Sequence, residues 1–553
     1  MSDLQLCHFT AGLNFRFLGD YDMSIYLIDN IIVPLDSEPD FRRDALKLLH
    51  CKASDLTEVS VYRRSVDARK KEKIRLNYTL AAKLKDGASI PAFAKARLLT
   101  EEKPQFRPGP EPLQDRPVII GFGPAGMFCG LMLAREGYRP IILEQGAPME
   151  QRVADVEAFW QGSKLNPHSN IQFGEGGAGT FSDGKLMTRI NDSYCRYVLE
   201  ELAAHGAPPE ILTAAKPHIG TDVLRQVVVS VRREIVSLGG EVRFHTAAKD
   251  IQIRGCKVSG VITEAGIIPC SCLVLAPGNA ARPLFSLCLK KGIQITSKPF
   301  SVGARIEHLQ QKIDRAMYGN YAGHPRLGHA EYQLSERNCQ TGRAVYTFCM
   351  CPGGVVVPSA SEEDTIVTNG MSYHSRAGRN ANAALVVSVD ERDFGSQPLD
   401  GVRFQQEIER RAYASSGSYH APAQTVGRFL LGQPGAKWGT VEPTYAIGVQ
   451  PSDLTAVLPP FVIEQMKAGL HVFGRRIGGY DAADAVLTAP ETRTSSPVRI
   501  LRGNDRQSIS AGGIYPCGEG SGYAGGIISS AVDGIRTAGA VISRFGRPEC
   551  RND

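Results

Sequence analysis

Residues 118–144 read VIIGFGPAGMFCGLMLAREGYRPIILE. An apolar run, Val118-Ile119-Ile120, stops at the glycine turn Gly121-Phe122-Gly123-Pro124-Ala125-Gly126. A helical pattern follows, and a second apolar run ends on Glu144. The order strand, glycine turn, helix, strand, acid is that of a dinucleotide-binding unit. Gly121 permits the turn, Gly123 lets a pyrophosphate approach the backbone, and Gly126 lets the helix pack on its strand. The helix start offers N–H groups and a positive dipole end to phosphates. Glu144 stands where a carboxylate accepts hydrogen bonds from both ribose hydroxyls, which favours FAD or NAD over NADP.

Two further elements choose between them. Gly512–Val541 reads GGIYPCGEGSGYAGGIISSAVDGIRTAGAV. A short strand ends at Gly518-Glu519, and a glycine run leads into an apolar helix. Gly520, Gly522 and Gly525 repeat the GxGxxG spacing, but no later strand ends on an acid, so a second dinucleotide domain is not expected. The better reading is the far half of a flavin site. Glu519 then faces the ribityl chain or pyrophosphate, and the helix start at Gly525-Gly526-Ile527 faces the flavin N1–C2=O edge. The third element, Leu273-Val274-Leu275-Ala276-Pro277-Gly278, is a strand ending in small residues. Three elements in this order favour FAD.

Five residues carry possible chemistry, each with a plainer reading beside it. His374, with Arg376 nearby, can take a proton from an oxidised substrate or be a surface-loop histidine. Arg493, beside Glu491, can bind an anion near the flavin or form an ion pair. Lys185 can approach flavin N5, bind phosphate or simply be solvated. Thirteen cysteines, an odd number, are scattered, as in a reducing cytoplasm. The close pairs Cys270/Cys272 and Cys349/Cys351 allow a redox pair or half a metal site. They are read as small apolar residues on strands, and no metal is expected.

Placing these residues takes several elements. The first 22 residues have no clear pattern and are read as a possible extension. Residues 23–100 read as a small α/β domain: a strand, a helix at Asp40–Leu49, and strands at Glu58–Arg64 and Lys73–Leu84. Residues 101–115, with four prolines, read as a linker. An FAD-binding domain takes 116–290 and 500–553, and an inserted α+β substrate domain takes 291–499. A hairpin is expected at Ile251–Ile253 with Val258–Thr263. Strands are expected near Ala344–Cys349 and Leu385–Val389. At 553 residues, 42% hydrophobic and 22% charged, the chain has the balance of a soluble multidomain protein. No membrane span or secretory signal is read from it, and a net charge of +6 does not require a nucleic-acid partner.

Several long segments resemble bacterial FAD-dependent dehydrogenases of unassigned function. They are FGEGGAGTFSDGK (173–185), PGGVVVPSASE (352–362), TNGMSYHSR (368–376), ETRTSSPVR (491–499) and CGEGSGYAGGI (517–527). The stretch RRSVDARKK at 63–71 fits that family's N-terminal region. The resemblance implies a Rossmann-like FAD fold of the glutathione-reductase type. It implies FAD contacts at Gly121, Gly123, Pro124, Ala125, Gly126, Glu144, Gly177, Gly179, Thr180, Ser182, Gly518, Glu519, Gly525, Gly526 and Ile527. It also implies an adenine contact at the Ala248 backbone, and Gly278 belongs to an ATG-like motif in which Pro277 replaces threonine. Related flavoproteins carry an arginine just after the ribose acid. Here Gln145-Gly146 follow, and Arg152 is the candidate for that role.

The expected activity is hydride transfer between a small molecule and flavin N5, with a separate electron donor or acceptor. NAD(P)H would have to dock without a domain of its own. The alternatives are a monooxygenase, or an RNA-modifying flavoprotein using the basic run Ser60–Arg75. That run has seven Lys/Arg against two acids. Its plainer reading is a charged face of the small domain.

Overall fold

The computed structural model describes residues 24–100 and 102–548, so the expected extension lies outside the described residues. The chain divides into two compact units.

The smaller unit holds residues 24–65 and 75–100. Its sheet contains β1 (Ile25–Pro34), β2 (Leu56–Asp67), β3 (Arg75–Leu84) and β4 (Arg97–Leu98), in the order β2-β3-β1-β4. Along β3 every second residue, from Leu76 to Leu84, is buried, which is the period-two signature of a sheet with one covered face. The helix Phe41–Leu49 begins where Asp40 accepts the Arg43 N–H at 3.0 Å, and it buries Ala45 and Leu49.

The larger unit is built on a five-stranded parallel sheet. Its members are β5 (Val118–Ile120), β6 (Ile141–Leu143), β7 (Glu241–Arg243), β11 (Leu273–Leu275) and β23 (Ile514–Pro516). Between β7 and β11 runs an antiparallel meander of β8 (Asp250–Arg254), β9 (Lys257–Thr263) and β10 (Gly266–Pro269). The hairpin of this meander is legible in the sequence, and its third strand is an addition. The parallel order is β23-β11-β5-β6-β7. Because both faces are covered, the strands are continuous apolar runs. Ile119, Ile142, Val274 and Tyr515 face the helices Pro124–Arg135, Thr221–Ser237 and Ile527–Arg544. Val118, Ile120, Leu143 and Leu275 face the meander side.

The segment between β11 and β23 forms a seven-stranded sheet. Its strands are β13 (Phe300–Leu309), β14 (Ser335–Arg337), β15 (Ala344–Cys351), β18 (Asn380–Val389), β19 (Ala421–Thr425), β20 (Val449–Pro451) and β21 (Val486–Glu491), ordered β14-β15-β18-β13-β21-β19-β20. All neighbours are antiparallel except β19 and β20. Two small pairs complete it: β12 (Ile295–Ser297) with β22 (Val498–Ile500), and β16 (Val355–Pro358) with β17 (Thr368–Met371). Among the described residues no helix is long and apolar enough to cross a membrane.

Candidate functional site

The strand order reverses direction between β5 and β11, which is where open α/β sheets bind ligands, beyond the carboxyl ends of the strands. Three loops meet there. Gly121 has φ +99°, and a Cβ on it would lie 2.2 Å from Ala276 O. A Cβ on Gly520 would lie 2.0 Å from Gly278 O. The turns after β5, β11 and β23 therefore interlock at backbone contact. A fourth segment, Gly174–Ser182, packs over them: a Cβ on Gly177 would lie 3.0 Å from Gly123 Cα, and one on Gly179 3.3 Å from Ile527 Cγ1.

Within this interlock, space is left at particular places. A Cβ on Gly123 would meet only Gly177 Cα, at 3.9 Å, and one on Gly278, Gly525 or Gly526 would meet nothing within 4 Å. Two helices start here, at Pro124 and Ile527, and neither start has a side-chain cap. Their first N–H groups have no partner within the helix. Gly534 explains how the helices come so close, since a Cβ there would lie 2.3 Å from Ala125 O, and Gly126 lets its helix sit on the turn, where a Cβ would lie 2.0 Å from Gly121 O.

Glu144 is buried, and both its oxygens are engaged. Oε2 accepts the Phe122 N–H at 3.0 Å, and Oε1 accepts those of Gly146 and Gly174 at 2.9 Å each. A carboxylate has about four acceptor positions, so one remains. Ala248 lies just beyond the 245–246 turn, whose N–H groups bond Gly146 O at 3.0 Å and Glu144 O at 2.9 Å.

Arg152 does not take the ribose-side role. Its guanidinium is fully buried and donates to Asn170 O at 3.0 Å, Ile171 O at 2.9 Å, Glu175 O at 2.5 Å and Thr180 Oγ1 at 2.8 Å. It is the clamp that shapes the 170–180 loop. Burial lowers its pKa to about 9, against the pull of Glu144 and Glu175. Thr180 and Ser182 likewise turn their hydroxyls inward, to Gly177 O and Gly179 O at 2.9 Å each. These bonds hold the loop in place.

The five chemistry candidates fall into separate groups. Lys185 and Arg376 converge on Asp183, which is fully buried. Its carboxylate has Lys185 Nζ at 3.8 Å, Arg376 Nη2 at 3.3 Å, His218 Nδ1 at 3.6 Å and the Ser372 hydroxyl. Burial alone would raise its pKa, but the Lys185 and Arg376 charges hold it well below the usual range. His374 stays at the edge: it stacks on His218 at 6.1 Å, and its Nδ1 lies 2.9 Å from Ile219 O. Arg493 is not an anion binder. With Arg282 it grips Glu409, from Nη2 at 3.0 Å and Nε at 3.2 Å, and it also donates to Ser361 Oγ at 2.5 Å. The ion-pair reading holds. The two arginines outweigh burial and bring Glu409 to about 2.

Glu491 is different. It is 3% exposed, and its nearest cation, Arg305 Nη1, is 3.6 Å away. Its Oε2 and Arg305 Nη1 have no hydrogen-bond partner. Burial pushes its pKa up to about 7, Arg305 opposing. Beyond it the chain passes the cofactor-side loops: Asn279 Nδ2 reaches Arg493 O at 3.5 Å and Glu519 Oε1 at 3.0 Å, and Ser496 Oγ reaches Gly520 O at 3.0 Å. Asp183 and Arg305 were not singled out in the sequence. Asp183 stands inside the glycine-rich segment, and Arg305 with Glu307 interrupts the apolar strand FSVGARIEHL. Charged residues inside a buried strand are the signal that can be read there.

Residues 299–494 match a family model described as the FAD-dependent protein, C-terminal domain-like, and residues 27–83 match a domain of unknown function. An uncharacterised protein of Clostridium beijerinckii is 43% identical over 529 residues, covering 94% of this chain and 99% of that protein. The chain belongs to this family of FAD-dependent proteins. FAD is the family's cofactor, and the crevice suits it: uncapped helix starts, clearance at four glycines and one acceptor left on Glu144. The family has distant likenesses among solved structures. Glycine oxidase from Bacillus cereus is 12% identical, with a TM-score of 0.31 over 78% of this chain and 99% of that one. Halogenase PltM is 12% identical, with a TM-score of 0.34 over 77% and 67%. Likenesses this loose say nothing of the reaction.

Proposed function

We propose that the protein is an FAD-dependent oxidoreductase of glutathione-reductase-type architecture that moves a hydride between a small molecule and the flavin. The observation that carries this reading is the convergence of the β5, β11 and β23 turns at the switch point of the parallel sheet. Gly123 and the start of the helix Pro124–Arg135 would hold the pyrophosphate, and Glu144 would hold the ribose. Ala248 would contact the adenine, and Gly525–Ile527 would hold the flavin. When bound, FAD supplies the two-electron chemistry. The chain supplies position and protons. Glu491, unpaired on one oxygen and raised to about 7, holds or accepts the proton that accompanies the hydride. Lys185 and Arg376, tied to Asp183, offer positive charge to an anionic substrate.

Anaerobic mixing of the FAD-loaded protein with candidate reductants tests this. NADH, NADPH and a set of small metabolites are added separately while the flavin absorbance is followed. Bleaching by one of them supports the reading. A flavin that responds to none of them, and that once reduced is reoxidised by no small acceptor, contradicts it.

A further inference from the structure

Cys349 and Cys351 do not sit on a regular strand. β15 loses register with β18 between Phe348 and Cys351, and Cys349 has φ +43°. A non-glycine residue held there is strained and persists only where the surroundings impose it. The surroundings are two cations. Lys185 Nζ donates to Met350 O, between the two cysteines. Arg305 Nη2 lies 3.0 Å from Cys349 O and 3.5 Å from Cys351 Sγ. Cys351 Sγ lies 3.4 Å from Cys349 O and is fully buried, whereas Cys349 is half-buried and reachable. The neighbouring Cys351 thiol, with Arg305 and Lys185, pulls Cys349 toward the thiolate despite burial, and burial pushes Cys351 up toward the thiol. One thiolate nucleophile beside one protonated thiol is the state from which a disulfide forms.

Two tethers join this pair to the cofactor crevice. Lys185 ends the loop whose Gly179 packs so near Ile527 that an added Cβ would lie 3.3 Å from Ile527 Cγ1. Arg305, which touches both cysteines, also lies 3.6 Å from Glu491, and Glu491 begins the segment that reaches Asn279 and Glu519.

We propose that Cys349 and Cys351 are a redox-active dithiol that exchanges two electrons with the flavin. In the oxidising direction the Cys349 thiolate and the Cys351 thiol form one S–S bond. The S–H bond of Cys351 breaks, and two electrons and its proton pass to the oxidised flavin, giving the anionic reduced form. Lys185 and Arg305 are positioning residues that favour the thiolate. The inference rests on the FAD placement proposed above. The two fail differently: a protein without FAD is colourless before any electron is counted.

Anaerobic dithionite titration of the air-oxidised, FAD-loaded protein is the test, with peptide mapping of the thiols. The wild type takes up about four electrons per flavin, two for each couple, and its map contains a Cys349–Cys351 disulfide before titration. Cys349→Ser and Cys351→Ser take up about two. A wild-type uptake of two electrons, with both cysteines mapped as free thiols, overturns the proposal. Should the variants fail to fold, thiol mapping of the wild type after titration decides: the Cys349–Cys351 disulfide is gone once about four electrons are taken up, and a disulfide that survives full reduction of the flavin overturns the proposal.

Discussion

Gly123 separates cofactor binding from folding. A methyl placed on it meets only Gly177 Cα at 3.9 Å, and its φ of −78° is one that alanine adopts. Gly123→Ala is therefore expected to keep the thermal midpoint of the FAD-free protein and to weaken FAD at least about tenfold, roughly 1.4 kcal/mol. Flavin fluorescence titration beside a melting curve reads both. Gly126→Ala is the contrast: its methyl would sit 2.0 Å from Gly121 O, and the fold itself weakens by about 1–3 kcal/mol or more. At Glu491 the folded pKa of about 7 lies above the ordinary 4.5, so the native state holds more protons between those values. Stability from this group is full below about 4.5 and is lost as pH rises through about 7. Between pH 5 and 8 this removes roughly 2–3 kcal/mol. In urea unfolding of Glu491→Gln that part of the slope disappears; an unchanged slope would show that Glu491 does not titrate as described.

At the scale of elements, Asp533 shows what holds the far half of the site. From the helix Ile527–Arg544 it accepts Arg502 at 2.7 and 2.9 Å, Arg506 at 2.6 Å and the Gly518 N–H at 2.8 Å. Burial would raise it, but the two arginines bring it to about 2. Asp533→Ala leaves Arg502, 9% exposed at its side chain, without its carboxylate and is expected to cost about 3–5 kcal/mol. It frees the Gly518 turn, so FAD affinity falls together with the melting temperature; a variant that melts like the wild type refutes the staple. The parallel strands and their glycine turns were legible because a doubly covered strand must be apolar and a backbone contact must be glycine. Asp183, Arg305 and Glu409 were much less legible. Their partners lie far off in sequence, and local spacing does not reveal which cation meets which acid. Arg493 shows the same limit from the other side: its segment reads equally well as anion binder or ion pair, and only the position of Glu409 on the helix Asp400–Ser416 decides. Cys349 reads as a strand residue because nothing in the local sequence announces the bulge.

For the whole molecule, the sheet order, the interlocked turns and the family membership make one claim: this chain folds around FAD at the β5–β11 switch point. The most direct measurement is the flavin content of the purified protein after saturation with FAD, read from its absorbance and from the nucleotide released on denaturation, with Gly123→Ala in parallel. The account predicts a yellow wild type that releases about one FAD per chain and no NAD, and a folded but pale variant. A wild type that stays colourless in excess FAD, or a variant that binds FAD as well as the wild type does, would contradict it.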